Sequence, residues 1–153
     1  MNFDFIKTLL FTFMACFGFC IVLHMHSPLQ MIAACMGGVF GWAIYLLLAP
    51  SLQETVCYLV ASVAVTLYGE CMARVFKEPV SGFLLIGVIP MVPGGPIYYT
   101  MEYCINGETE QFLESFIRTF GIAGALAVGV LFVSSSMNLY RAIRTSIKSK
   151  HQE

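Results

Sequence analysis

Gly87-Val88-Ile89-Pro90-Met91-Val92-Pro93-Gly94-Gly95-Pro96-Ile97-Tyr98-Tyr99-Thr100-Met101 sets three prolines and a Gly94-Gly95 pair into the middle of a run otherwise apolar enough to cross a bilayer. Lipid supplies no hydrogen bonds to a broken backbone, so such a break is tolerated only where it is buried in protein or lines a polar cavity. In a continuous helix Pro90, Pro93 and Pro96 would each remove one i to i−4 bond, leaving the carbonyls of Ile86, Ile89 and Val92 without their donors. Gly94-Gly95 supplies the freedom to turn, and Pro96 suits the first position of a new helix, where its missing N–H costs nothing. The stretch therefore predicts a half-helix ending near Pro90, an unwound link, and a second half-helix starting at Pro96. At a rise of 1.5 Å per residue the break lies roughly 15 Å along from Val80, near the bilayer midplane.

Such a break places opposite partial charges side by side in a low-dielectric setting. The N-terminus of the second half-helix is expected to present the amides of Ile97, Tyr98 and Tyr99 with a positive dipole end, which favours a carboxylate. The freed carbonyls of Ile86, Ile89 and Val92 favour a cation or an ammonium. Discontinuous helices in secondary transporters hold solutes at the midplane in this way, and a zwitterionic amino acid suits the pair of ends. The candidate substrate-binding residues are therefore Pro90, Pro93, Gly94, Gly95, Pro96, Ile97, Tyr98, Tyr99 and Thr100, the last three adding hydroxyls. The plainer alternatives are a proline kink that only shapes the bundle and tyrosines that form an interfacial belt. Glu102, one turn beyond Tyr98, is a coupling or gating candidate, because ionisable groups in spans are functional by default.

The rest of the chain agrees with a membrane setting. Of its 153 residues 58% are hydrophobic and 11% charged, and the net charge of −1 gives no reason to expect nucleic acid as a partner. Apolar runs of spanning length occur at about Phe5 to Leu23, Leu29 to Ala49, Thr55 to Tyr68 or a little beyond, Val80 to Tyr103 and Phe116 to Met137. The expected fold is an all-α integral membrane protein of five transmembrane helices, the fourth broken. Residues 1–138 form the five-span domain and residues 139–153 a basic cytoplasmic tail. The first run lacks a proper basic n-region and is read as a retained span. The third has the shortest apolar core; if its helix continues to Phe76, Glu70 and Arg74 fall at i, i+4 and neutralise each other, and both join Glu102 as coupling or gating candidates.

Lys and Arg set the orientation. Arg141, Arg144, Lys148 and Lys150 follow the last span, and Arg74 and Lys77 precede the fourth, which places both regions in the cytoplasm and the N-terminus outside. The acidic segment with Glu108, Glu110 and Glu114 then faces outward, with Arg118 expected to pair with Glu114 one turn earlier. His24 and His26 read as loop residues. Small residues at packing spacing recur as Gly37 and Gly41 in the second span and as Gly121, Ala125 and Gly129 in the fifth, serving either packing inside the bundle or docking of a partner. The six cysteines form no C-x-x-C pair and sit mostly in apolar runs, so neither a metal site nor a cofactor is expected.

Through Val88-Ile89-Pro90-Met91-Val92-Pro93-Gly94 and Tyr99-Thr100-Met101, together with its size, five spans and basic tail, the chain resembles the threonine/serine exporter family, and in particular the small membrane protein of its split systems. The resemblance implies a large partner subunit that carries further spans, and export of threonine and serine across the bacterial inner membrane, or of succinate as in some split relatives. Gly95-Pro96 extends beyond the shared proline-glycine. Two carboxylates would want more positive charge than one helix end supplies, which favours an amino acid over a dicarboxylate. A non-transporting scaffold subunit is the alternative from another class. An intramembrane enzyme is disfavoured, since no G-x-S-x-G, H-E-x-x-H or paired intramembrane aspartate occurs.

Overall fold

A computed structural model describes residues 2–25 and 27–150, so His26 lies outside the described residues. The order is α1 (Asn2–Val22), α2 (Pro28–Leu48), α3 (Glu54–Phe76), α4 (Val80–Val88), a 3-10 turn (Ile89–Met91), α5 (Gly94–Asn106) and α6 (Thr109–Lys150), with no strand among the described residues. Four of these helices are long and apolar enough to cross a membrane, and α4 with its turn makes a fifth span together with α5, bent by 53° at the break. The protein is thus an all-α, multi-pass membrane protein. Its outward side chains, Phe11 and Phe132 among them, are apolar as lipid requires.

The helix ends follow local chemistry. Pro28 opens α2 in the first-turn position, where a missing N–H is harmless. Lys77 closes α3 in the left-handed region at φ 56°, its N–H bonded to Ala73 O, and Pro79 follows to prevent continuation. Gly107 closes α5 at φ 75°, a conformation that glycine adopts without a Cβ penalty. His24 ends α1 in a turn at φ 54°.

Packing is organised around α3. It lies against α6 and α2, α4 packs on α2 and α3, and α5 packs principally on α6. One apolar cluster joins Cys16 and Cys20 of α1, Ala34 and Cys35 of α2, Ala73 of α3, and Phe83 and Ile86 of α4. A second joins Tyr58, Ala61 and Val65 of α3 to Met91 of the turn and to Ile122, Ala125 and Leu126 of α6. The glycines make these approaches possible. A Cβ on Gly38 would sit 2.5 Å from Cys16 Sγ and 3.3 Å from Pro90 Cγ, and one on Gly129 would strike the Ser62 hydroxyl and come within 3.1 Å of Leu59 O. Gly37 faces Tyr68 and Gly41 faces Val65 and Met91, so these small faces are occupied inside the bundle and do not offer the partner surface that the sequence left open.

Ion pairs fix the direction of the last helix. Arg118 of α6 grips Glu54 at the start of α3 through Nε at 2.6 Å and Nη2 at 2.9 Å, and Arg141 reaches Glu70, sixteen residues further along α3, at 2.6 Å. Helices α3 and α6 therefore run parallel. A chain that leaves α3 at one end and enters α6 at the other has crossed between them, so Val80–Asn106 is one broken span and not a re-entrant loop.

One expectation needs correction. Arg118 pairs with Glu54 and not with Glu114, because α6 lies along α3 and the cross-helix carboxylate is in reach. The third helix does continue to Phe76, and Glu70 and Arg74 pair at i, i+4 as that length allows, with Arg141 meeting the same carboxylate. Residues 139–150 continue α6 without interruption, and residues 151–153 lie outside the described residues.

Candidate functional site at the broken span

The break forms, but two residues earlier on its far side than the prolines suggest. Pro93 is the N-cap of α5, the helix starts at Gly94, and Pro96 occupies its third position. Position matters less for proline within the first turn, because none of the first N–H groups has an intrahelical acceptor. The shift changes the chemistry of the end. Ile97 N–H already donates to Pro93 O at 3.0 Å, and Gly94 N–H to Val92 O at 2.7 Å, so the expected row of amides at Ile97, Tyr98 and Tyr99 is drawn into the helix. Gly95 supplies the one first-turn N–H without a backbone acceptor among the described residues.

The freed carbonyls are likewise partly taken. Ile86 O accepts from the Cys16 thiol at 3.6 Å, Ile89 O accepts from Val92 N–H at 3.2 Å, and Val92 O accepts from Gly94 N–H. Each carbonyl keeps a second lone pair. The cationic and anionic ends envisaged from sequence are thus weaker than three open carbonyls against three open amides.

Burial divides the link into two faces. Met91 is fully buried, its methyl wedged where a Cβ on Gly41 would lie 2.5 Å away, and Pro93 is buried beside it. Val92, Gly94 and Gly95 are exposed, and no atom lies within 4 Å of a Cβ built on either glycine. Beyond the link, Thr100 turns to α6, its Oγ1 lying 2.7 Å from Pro96 O and 3.2 Å from Thr119 Oγ1. It anchors α5 and does not point to open space. Tyr98 and Tyr99 stand outward in an edge-to-face pair with centroids 5.5 Å apart. Tyr98 and Glu102 share a shallow recess of about 190 Å³ with Met101, Ile105 and Asn106. The structure so brings together Val92, Gly94, Gly95, Tyr98 and Glu102 on one uncovered face, and leaves Glu70 and Arg74 apart at the basic end of the bundle.

Two residues escaped the sequence reading. Trp42 of α2 packs against the cluster that contains Met91, stacks on Tyr45 at 5.0 Å, and buries its Nε1–H without an acceptor among the described residues. Its position, inside an apolar run, carries no signal of that. Arg141 looked like one of four basic tail residues, and only the fold shows it returning to Glu70. No group of three or more His, Cys, Asp or Glu side chains among the described residues is arranged to hold a metal ion.

The chain matches the profile of the family described as Threonine/Serine exporter, ThrE, over residues 8–136. This chain belongs to the threonine/serine exporter family. It is also similar to a protein of Corynebacterium glutamicum named Threonine/serine exporter, with 30% identity over 102 residues. Those residues are 67% of this chain and 21% of that protein, so the chain spans about a fifth of its relative's length. No solved structure matches it. The matched region contains the whole broken span and most of the α3–α6 seam.

Proposed function

We propose that this protein is one membrane subunit of a secondary exporter of small amino acids, threonine and serine, and that a larger subunit of the same family completes it in the bacterial inner membrane. The observation that carries this reading is the non-helical link Val92-Pro93 in the middle of a span, with Val92 and the first-turn glycines Gly94 and Gly95 left uncovered beside it. Hydrocarbon does not tolerate such backbone, so in the membrane it faces protein or a solute cavity. The partner covers the outward face of α5, and cargo binds between that face and the partner. Gly95 N–H receives a carboxylate oxygen, the second lone pairs of Ile89 and Val92 receive an ammonium, and Tyr98 and Glu102 line the way to the acidic side. With the basic end in the cytoplasm, the C-terminus is cytoplasmic and the N-terminus outside.

The test is transport by the co-expressed pair in sealed vesicles loaded with threonine, serine or succinate. Efflux of threonine or serine is expected. Efflux of succinate alone would replace the amino-acid reading with a dicarboxylate one, and movement of none of the three would remove the exporter reading. A scaffold without transport predicts that substitutions at Gly94 and Gly95 leave the activity of the assembled complex intact.

A further inference from the structure

At the basic end of the bundle Glu70 is held by two guanidiniums at once. Arg74, one turn along α3, and Arg141, from α6, both place Nη2 on its Oε2, at 3.2 and 2.6 Å. The Glu70 side chain is 4% exposed, while those of Arg74 and Arg141 are 44% and 48% exposed. One carboxylate thus draws two guanidiniums together, and solvent reaches both of them. Deeper along the same stripe of α3, at four-residue steps, lie Thr66 and Ser62, both fully buried. Ser62 meets Gly129 of α6, and the two hydroxyls bond back to carbonyls of their own helix. A polar seam runs inward between α3 and α6 and is closed at its mouth by this ion-pair cluster.

We propose that Arg74 and Arg141 form a carboxylate-binding site at the cytoplasmic mouth of the α3–α6 seam, and that Glu70 is the resident carboxylate that fills it while the seam is closed. Glu70 itself displays the ligand geometry. A guanidinium pair left half-desolvated without an anion is costly, so Glu70 leaves only in exchange for another carboxylate. An amino acid or short dicarboxylic acid arriving from the cytoplasm takes over the two arginines, and Glu70 passes to water as the helices part. The proposal rests on the exporter reading only for the side from which cargo arrives.

A thiol placed at position 66, about 6 Å deeper than Glu70 along the helix, reports opening without any transport measurement. Thr66→Cys is introduced into the subunit pair with the two exposed cysteines, Cys71 and Cys104, changed to serine, and an impermeant maleimide is applied from the cytoplasmic side of inverted vesicles. Without solute, labelling is expected to be slow; L-threonine or succinate raises it about tenfold, a usual size for coupling between a ligand and a conformational step. L-threoninamide, which has no carboxylate, leaves it slow. Glu70→Gln labels fast without solute, Arg141→Gln labels fast and no longer responds, and Arg141→Lys restores protection. Glu54→Gln, at the other end of the seam, leaves the introduced thiol protected, which separates local opening from general unfolding.

Equal action of threoninamide, or protection that survives Glu70→Gln, overturns the proposal. So does fast labelling in phosphatidylglycerol nanodiscs without solute but not in phosphatidylcholine, which would assign the arginines to a lipid phosphate. If carboxylates open the seam while the pair exports none of them, the exporter reading fails and the site stands.

Discussion

Gly129 shows how much a single missing Cβ carries in this bundle. Its place against Ser62 and the Leu59 carbonyl allows α3 and α6 to approach, and backbone cannot yield as a flexible side chain can. Gly129→Leu is expected to destabilise the protein by about 1–3 kcal/mol through overpacking. Gly124→Leu on the same helix, where nothing lies within 4 Å of an added Cβ, should leave stability within about 0.5 kcal/mol, both read as unfolding in mixed detergent micelles. Trp42 gives the converse case. Its buried N–H has no acceptor among the described residues, so Trp42→Phe removes an unmet donor whose desolvation costs about 1–3 kcal/mol and keeps most of the ring packing. Stability should hold or rise, whereas Trp42→Ala should lower it; a loss with Phe as large as that with Ala would show that the indole N–H is engaged. The two ion pairs between α3 and α6 should also differ. Glu54–Arg118 is partly exposed and its double-mutant coupling is expected to be at most about 1 kcal/mol, while removing Arg141 should cost about 1–3 kcal/mol because the buried Glu70 carboxylate loses its shorter partner and keeps only Arg74.

The broken span was legible as a break because three prolines and two adjacent glycines forbid one smooth helix whatever surrounds them. Its phasing was not. Whether Gly94 or Pro96 opens the second half depends on which N–H groups the turn itself consumes, and Val92 O taking Gly94 N–H is a local folding detail that residue types leave undetermined. The same holds for Thr100, which sequence placed among solute contacts and the fold turns toward Thr119. A test at this scale follows from the space around the glycines. Because a Cβ at Gly95 meets no atom within 4 Å, Gly95→Leu should leave the folded chain unchanged, yet reduce efflux by the assembled complex at least about tenfold by standing where the cargo carboxylate meets the amide. Wild-type efflux in an assembled Gly95→Leu complex would remove the break from the transport path.

For the whole molecule, the parallel course of α3 and α6 makes Val80–Asn106 a complete crossing, and the chain carries its own probes of that. Cys104 lies near the end of α5 and is exposed, whereas Cys71 lies toward the other end of the bundle on α3. In intact cells an impermeant maleimide should label Cys104 and not Cys71. Labelling of Cys104 only after the membrane is opened would mean either that the bundle is inverted or that the broken span turns back, and a tag on the C-terminus distinguishes the two.

Taken by itself, the sequence determined that the chain is a membrane bundle, roughly where its spans begin, that the fourth is broken and which family its motif resembles. These follow from hydropathy, span length and proline's missing N–H, which are properties of short windows and need no neighbours. Only the tertiary structure decided that the glycine faces are filled from within, that Arg118 and Arg141 reach across to α3, and that one face of α5 stands uncovered. Those outcomes depend on which residues distant in the chain meet, and in a bundle where nearly every face is apolar, hydrophobic pattern cannot tell a lipid-facing stripe from one that faces another helix.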